Sequence, residues 1–557
     1  MARIDSRTLF LTTSPRTPEK MVPEIDLLIQ HFDGQVWDHN TQTAFMDVLR
    51  EANFYNGQGD NDPAFSARDR INRAPKALGF VCLSPKISLT PAGSALLSAK
   101  RKSEVFLRQL LKFQIPSPYH RPTEKAARFC VKPYLEILRL IRKFGSLNFD
   151  ELQIFGMQLT DYHKFDDIVD KIENFRRAKA QNRGSYRQFK GTYLKQELLD
   201  IYSTNIERGE TQTRESHDAT TEKFLRTKAQ NMRDYADSCF RYLRATELVN
   251  VSHTGKSLSI IPERIADVDY LLNKISREPR VFKTEADYIA YLGDAQKPAL
   301  LTDNKAQLLQ KIRVEFPSQA VDENQTSAYL KDLYADLIEE RKQNALAAQV
   351  HDIKDYRLYD DIQNVFDQIE DNALYDAPLM LEWNTWRAMT MLDGGNIQAN
   401  LHFDDFGKPL STAGGNMPDI VCDYGDFVVA VEVTMGTSQR QFETESEPIS
   451  RHLGKLKSKT GKHGYCLFVA PTISPSTVAF CYMLHKTNID FYGGTSTIVP
   501  LPLNIFRKMV ESSYKVDYTP NPEQVKRFFE QSNAIVEQST SETEWHQKIV
   551  AAALDWL

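Results

Sequence analysis

Cysteine is scarce in this sequence, with six residues in 557 and no CxxC pair among them. Thiols so scattered argue against both a zinc cluster and a framework of disulfide bonds. Long apolar runs are missing as well, so no segment is expected to span a membrane. Residues 1–20 are polar and contain no stretch of the secretory type, which predicts a protein that stays in the cytoplasm.

An excess of positive charge is also absent, because 69 Lys and Arg residues face 74 Asp and Glu residues, for a formal net charge of −5. A protein that coats nucleic acid without specificity would be more basic, so any contact with nucleic acid must come from local patches. Neither GxSxG nor GxxxxGK(S/T) occurs in the sequence. Their absence argues against a serine hydrolase built on the first motif and against a P-loop nucleotidase.

The chain is too long for a single compact core, and its pattern of elements changes along its length. We predict a multidomain α+β protein with four regions. Winged-helix-like subdomains for DNA recognition occupy 1–115 and 116–280, and a helical linker occupies 281–350. The region 351–557 is predicted to be an α/β domain, because strand-like and helix-like segments alternate in it.

The winged-helix prediction rests on two similar stretches. Residues 67–102 predict one helix over 67–81, two short strands around a tight connection, and a new helix capped near Thr90. Residues 128–145 predict an amphipathic helix ending at Gly145, and residues 234–262 predict helix, strand, a His-Thr-Gly-Lys turn and strand. Winged helices bind DNA in some proteins and protein partners in others, so the outline alone leaves both roles open.

Acidic residues are absent from 174–195, where Arg and Lys alternate with Phe and Tyr, and a second basic stretch covers 100–143. Arg and Lys neutralise phosphates, and Arg can also bind guanine edges. A solvated helix face gives a similar pattern, but the lack of acids over so long a stretch favours contact with DNA. The candidate DNA-binding residues are Arg101, Lys102, Arg121, Arg128, Arg176, Arg177, Lys179, Arg183, Arg187 and Lys190.

The α/β region contains acidic residues at the ends of predicted strands. Its elements read as a helix with Glu382 near its start, a strand, a hairpin, a helix, a buried strand, a helix and a strand. Asp419 begins one hairpin strand and Glu432 lies near the end of the other, so both can converge at the mouth of the sheet. An unpaired charge inside the apolar segment VVAVEVT is costly, and a metal ion or a buried partner would offset that cost.

A proline-aspartate pair followed by ExT is a weak signal by itself, because a surface Asp and a strand-end Glu give the same pattern. The surrounding order of elements favours a nuclease. Carboxylates bind hard cations such as Mg²⁺, which polarises a phosphate and activates water.

A lysine is missing from the usual third position of this motif, which is Thr434 here. Threonine carries no charge, so another group or the metal must supply what the lysine supplies elsewhere. His452 follows on the next predicted helix, which we expect to be interrupted near Pro448, and Glu445 lies about two helical turns before it. His452 can position a water or transfer a proton, although an ordinary surface histidine would give the same pattern.

These motifs resemble those of the AlwI, PleI and MlyI group of type IIS restriction endonucleases and related nicking enzymes, within the PD-(D/E)xK superfamily. The resemblance rests on Glu382, Pro418-Asp419, Glu432-Val433-Thr434 and the pair Glu445 and His452. It implies a restriction-endonuclease-like fold for the last domain.

The resemblance also implies roles for individual residues. Asp419, Glu432 and Val433 would hold Mg²⁺, and Glu382 would be a further acid of the site. Glu445 and His452 would support them, with the neighbouring acids at 443 and 447 as competitors for the place of Glu445.

A type IIS enzyme binds a short asymmetric site in double-stranded DNA and cuts a few base pairs away, either through both strands or as a nick. One catalytic domain cuts one strand, so double-strand cleavage implies a transient homodimer, a second subunit or sequential nicking. A restriction role further implies the bacterial cytoplasm and a cognate DNA methyltransferase. Two alternatives stay open: a catalytically inactive winged-helix DNA-binding regulator, and a repair nuclease that recognises DNA structure.

Overall fold

The computed structural model describes residues 2–4, 7–52, 54, 62–122, 129–213, 216, 218–251, 256–392, 395–413, 417–516 and 520–557. Contacts divide the chain into two compact units, Met1–Leu337 (unit 1) and Ile338–Leu557 (unit 2). The finer division into four regions stays a prediction. Within the described residues, no helix is both long and apolar enough to cross a bilayer.

Unit 1 is mostly helical. Its helices are α1 (Met21–Phe32), α2 (His39–Glu51), α3 (Pro63–Ile71), α4 (Ala74–Ala77), α5 (Pro91–Ser98), α6 (Lys102–Lys112), α7 (Pro133–Phe144), α8 (Phe149–Ile154), α9 (Phe165–Gln181), α10 (Tyr186–Glu207), α11 (Thr221–Arg244), α12 (Ile265–Lys274), α13 (Glu285–Gly293) and α14 (Lys305–Glu315). Its strands are β1 (Ala2–Ile4), β2 (Val81–Cys82), β3 (Ser88–Leu89), β4 (His120–Pro122), β5 (Ser146–Asn148), β6 (Val249–Val251) and β7 (Ser257–Ile260). The division between the units falls inside α15 (Ser327–Lys354).

The first predicted wing is present as the antiparallel pair β2 and β3. Thr90 caps α5, as predicted, because its hydroxyl accepts a hydrogen bond from the Gly93 N–H at 3.0 Å. The single helix predicted over 67–81 is wrong, since α3 ends at Ile71 and α4 starts at Ala74. Pro75 explains the break: proline has no N–H to donate inside a helix but fits its first turn.

The second predicted wing belongs to a three-stranded antiparallel sheet in the order β5-β7-β6. Gly145 ends α7 with a φ of +74°, a backbone conformation that glycine adopts without strain. Asn148 then caps α8 in a reciprocal box with Glu151. Strand β5 was not predicted. The turn predicted at 253–256 lies outside the described residues except for its last residue, Lys256.

Unit 2 is an α/β structure, as predicted. Its helices after α15 are α16 (Tyr359–Glu370), α17 (Ala377–Met391), α18 (Ser438–Thr460), α19 (Pro475–Lys486), α20 (Leu503–Lys515), α21 (Pro522–Glu537) and α22 (Glu542–Leu554). Its strands are β8 (Asn396–Ala399), β9 (Leu401–Phe403), β10 (Pro409–Thr412), β11 (Ile420–Asp423), β12 (Phe427–Val433), β13 (His463–Ala470) and β14 (Thr497–Pro502). The predicted order of elements from β11 to β14 is confirmed. Between α17 and β11 the prediction was incomplete, since its single strand is two strands, β8 and β9, and β10 was not predicted.

A five-stranded mixed sheet forms the centre of unit 2, in the order β14-β13-β12-β11-β8. Strands β8, β11 and β12 are antiparallel neighbours, whereas β12, β13 and β14 run parallel. All residues of β12 are buried, and β13 is buried after its first residue, as expected for central strands covered on both faces. Helices α17 to α22 contact this sheet or one another.

Helix α18 is continuous from Ser438 to Thr460, so the predicted interruption near Pro448 is wrong. The helix loses the one hydrogen bond that Pro448 has no N–H to donate. Burial of Ile449, Leu453 and Leu456 against the core of unit 2 offsets that loss. The unbroken helix keeps positions 445 and 452 two turns apart on one face.

Candidate active site

Two carboxylates face each other across adjacent strands of the unit 2 sheet. Strands β11 and β12 are antiparallel with Ile420 opposite Val431, so Asp419 lies opposite Glu432 one step further along the ladder. Directly opposed residues of an antiparallel pair share one face of the sheet. The Val433 N–H donates a hydrogen bond of 2.8 Å to Asp419 Oδ2, which holds that carboxylate at the end of β12.

Burial and mutual repulsion perturb both carboxyl groups. Glu432 is only 6 % exposed. Burial raises the pKa of Asp419 well above its usual range, and the charges of Glu432 and Glu445 raise it further. Burial also raises the pKa of Glu432, with added repulsion from Glu445 and Glu382, whereas the Arg451 guanidinium lowers it. Glu432 therefore lies within electrostatic reach of three other acids, Asp419, Glu445 and Glu382.

Helix α18 brings two of the predicted residues to this cluster. Glu445 Oε1 accepts a hydrogen bond of 3.1 Å from the Thr434 hydroxyl, and His452 Nδ1 lies 2.8 Å from Glu432 Oε1. Burial lowers the pKa of His452 to about 4, assisted by the nearby charge of Arg451. Because burial disfavours both charged forms, the His452–Glu432 contact holds one proton between the two side chains.

The structure distinguishes Glu445 from its neighbours on α18. The side chain of Glu447 is 53 % exposed and pairs with Arg451, while Glu443 is exposed. Glu382 reaches the cluster from α17, a helix that contacts β11 and β12. The five residues predicted to be catalytic therefore come together, and Val433 adjoins them on β12.

The donor set suits Mg²⁺ in chemistry and in number. Among the described residues, no three His, Cys, Asp or Glu side chains form a closed cage that could hold a metal by themselves. Mg²⁺ does not require one, since it is bound by one or two carboxylates, several waters and substrate phosphates. Asp419 and Glu432 supply two opposed hard oxygen ligands whose repulsion a cation would relieve.

Gln441 is a residue of this region that the sequence did not reveal. It is fully buried on α18, and its amide nitrogen donates to the carbonyl oxygens of Gly436 at 3.0 Å and Thr472 at 2.8 Å. Its amide oxygen accepts from the Ser474 N–H at 2.8 Å. Gln441 thereby ties the first turns of α18 to the segments that follow β12 and β13. A glutamine in a polar helix gives no signal of this role.

Several of the predicted DNA-binding residues contact acidic side chains within unit 1. Arg101 pairs with Glu247 at 3.1 Å. Two residues of the acid-free stretch anchor it to α8: Arg176 makes a two-pronged contact with Glu151, and Lys190 pairs with Asp150. Lys102 donates a long hydrogen bond of 3.5 Å to the Ala99 carbonyl. Arg128 and the side chain of Arg121 lie outside the described residues.

The other four predicted residues are exposed on α9, α10 and the turn between them, which we call the basic hairpin (residues 165–207). They are Arg177, Lys179, Arg183 and Arg187. The two helices are joined by aromatic contacts of Phe175 with Phe189 and Tyr193, at ring-centroid distances of 5.3 and 5.1 Å. This packing holds the exposed charges on a defined scaffold.

Comparison with known proteins gives a family. A family model described as AlwI restriction endonuclease matches residues 76–509. The crystal structure of the small subunit (R.BspD6I2) of the heterodimeric restriction endonuclease R.BspD6I is 23% identical, over 35% of this chain and 95% of that chain, with a TM-score of 0.28. The BpuJ1 endonuclease binding domain, in complex with pyrene- and phenanthrene-modified DNA, is 12% identical, over 50% of this chain and 92% of that chain, with a TM-score of 0.31. No match was found among curated proteins.

The family match covers most of the chain and includes Glu382, Asp419, Glu432, Glu445 and His452. It also includes the basic hairpin and the sheet of unit 2 up to β14. The chain therefore belongs to the AlwI restriction endonuclease family, and it is a restriction-type DNA endonuclease.

Proposed function

We propose that this protein is a Mg²⁺-dependent type IIS endonuclease that binds a short asymmetric duplex site through unit 1 and hydrolyses a nearby phosphodiester in unit 2. The observation that carries the proposal is the opposed pair Asp419 and Glu432, buried among further acids and backed by His452. A catalytically inactive regulator would have no need of this cluster, whose mutual repulsion destabilises the fold.

In this proposal Asp419 and Glu432 hold the metal, and Glu382 adds negative charge from α17. Val433 has only its main-chain carbonyl oxygen to offer as a ligand. A Mg²⁺ ion held there would supply Lewis-acid chemistry, polarising the scissile phosphate and lowering the pKa of a bound water. His452 has Nδ1 engaged with Glu432, so Nε2 is the atom left to exchange a proton with water.

Unit 1 supplies DNA recognition in this scheme. The β2–β3 pair and the β5–β7–β6 sheet, each with adjacent helices, support the winged-helix assignment. A single catalytic cluster in unit 2 cuts one strand. Double-strand cleavage then requires a transient homodimer, a second subunit or a second nicking event. A restriction role pairs the enzyme with a cognate methyltransferase in the bacterial cytoplasm. The second candidate function is a repair nuclease, which would use the same catalytic chemistry but recognise DNA structure.

Digestion of supercoiled plasmid with Mg²⁺, followed by sequencing of the ends, tests the proposal. We expect ends at one fixed offset from a common short sequence, because recognition and cutting are assigned to different units. Open circles alone would indicate a nicking enzyme, and linear product would indicate paired cuts. Ends at DNA junctions or mismatches without a common sequence would favour the repair nuclease. A folded protein that binds DNA but leaves every plasmid intact would leave only the regulator.

A His452→Gln variant should cleave about 100-fold more slowly than wild type at neutral pH, because glutamine cannot exchange a proton with water. Its affinity for DNA should be unchanged. The rate is measured under single turnover, and His351→Gln is the control, since the side chain of His351 is 67% exposed on α15. Equal rates for both variants and wild type would remove His452 from the mechanism.

A further inference from the structure

Thr434 occupies the position at which the motif usually has a lysine, directly after β12. Its hydroxyl oxygen accepts a hydrogen bond of 2.9 Å from the Gly436 N–H and lies 3.1 Å from Glu445 Oε1. A hydroxyl has a single proton to donate. With the Gly436 N–H on one lone pair, that proton is directed at the Glu445 carboxylate.

The backbone fixes this hydroxyl in place. The Thr434 N–H donates to the Val469 carbonyl at 3.2 Å, which continues the pairing of β12 with β13 by one residue. Thr434 is therefore attached to the sheet on one side and to Glu445 of α18 on the other.

We propose that Thr434 is a positioning residue that holds the Glu445 carboxylate against the Asp419–Glu432 pair and so raises the affinity of the site for a divalent cation. The proposal rests on the assignment of that pair as the metal site. The charge of Glu445 acts on both Asp419 and Glu432. A lysine at 434 would place a cation next to Glu445 and cancel that contribution. The position has thus changed from supplying positive charge to orienting negative charge.

Thr444 provides a matched comparison. Its hydroxyl lies 3.2 Å from the same Glu445 Oε1 but also 2.9 Å from the Arg440 carbonyl, one turn back on α18. Its proton has an acceptor in the helix backbone, and its side chain is exposed. Removing this hydroxyl should therefore leave Glu445 in place.

The test compares Thr434→Val, Thr434→Ser and Thr444→Val. Mn²⁺ binding to the full chain without DNA is titrated by electron paramagnetic resonance, and the Mg²⁺ dependence of single-turnover plasmid cleavage is measured separately. Thr434→Val should weaken Mn²⁺ binding by about tenfold or more, as is usual for groups that orient metal ligands, and should raise the half-saturating Mg²⁺ concentration similarly. Thr434→Ser should stay within about threefold of wild type on the same scale. Thr444→Val should match wild type.

Two results would overturn the proposal: unchanged Mn²⁺ binding in Thr434→Val, or a Thr434→Ser variant as defective as the valine variant. If Thr434→Val does not fold, Thr434→Ala replaces it, alone and combined with Glu445→Gln, and alanine should then weaken Mn²⁺ binding in the wild-type background but add nothing to the effect of glutamine. Wild-type protein that binds Mn²⁺ but cuts no DNA would contradict the proposed function and leave the role of Thr434 intact.

Discussion

Asp419→Asn and Glu432→Gln should each reduce plasmid cleavage by about 10³-fold or more, because each removes one of the two proposed metal ligands. A bound metal ion stabilises the charge that develops at the phosphate by several kcal/mol, and about 4 kcal/mol corresponds to a factor of 10³ in rate. Binding of DNA measured in Ca²⁺ or without metal should persist. Asp426→Asn is the matched control, since Asp426 is exposed at the turn between β11 and β12.

The same two variants should be more stable than wild type in the absence of metal. Burial and repulsion raise the pKa of both carboxyl groups in the folded state. A raised folded-state pKa gives a contribution to stability that is fully present below the unfolded value, about 4 for a carboxyl group, and is lost as pH rises through the folded value. Metal-free wild type should therefore lose stability as pH rises above about 4, and the neutral variants should lose less.

Thermal unfolding in EDTA and in Mg²⁺ measures this difference. Each kcal/mol gained should raise the melting temperature of a unit this size by about 2–4 °C. Mg²⁺ at ten times its dissociation constant should stabilise wild type by about 1.4 kcal/mol and should stabilise the variants less. The assignment of Asp419 and Glu432 as metal ligands would be contradicted if either variant cut DNA at the wild-type rate. It would also be contradicted if Mg²⁺ stabilised both variants as much as wild type.

Alanine at the four exposed cations of the basic hairpin should weaken DNA binding in a salt-dependent manner. The four are Arg177, Lys179, Arg183 and Arg187. Each phosphate contact contributes about 0.9 to the slope of log affinity against log salt concentration on duplex DNA. Loss of all four contacts should lower that slope by about 3.6, equally for duplexes with and without the recognition sequence. Fluorescence anisotropy at several salt concentrations measures the slope.

The control for the hairpin is Lys508→Ala, since Lys508 is exposed on α20 in unit 2. Cleavage at saturating DNA should be unchanged in the hairpin variant, because no residue of the catalytic cluster is altered. An unchanged salt slope would show that the hairpin does not contact phosphates. A loss confined to the recognition sequence would show instead that the hairpin reads bases.

Much of the active cluster could be predicted because its signals are local. Glu432 stands out as a charge inside an apolar strand, and Asp419 begins the strand that pairs with it. Glu445 and His452 share a helical face at a spacing that the sequence itself displays. These residues share one environment because the β11–β12 strand pair and the single helix α18 bring them together.

What the sequence did not reveal depends on contacts between distant segments. Arg101 and its partner Glu247 are 146 positions apart, so nothing near Arg101 marks it as paired. Pro448 was expected to break α18, but packing against the core outweighs a local preference. Proline had the opposite outcome at Pro75, where the polypeptide does start a new helix. A proline thus marks the start of a helix at Pro75 but lies inside a continuous helix at Pro448, where burial of the helix stabilises it.

The connection from β12 to β13 has a consequence for the newly made enzyme. These strands are parallel, so the chain must cross from one end of the sheet to the other, and α18 makes that crossing. Because Glu445 and His452 lie on α18, the crossover that leads into β13 also brings these two residues to the Asp419–Glu432 pair. A nascent chain that has made only the β11–β12 hairpin has the two opposed carboxylates without their supporting residues. Under the proposed mechanism, a chain at this stage of folding would lack the residues that assist cleavage.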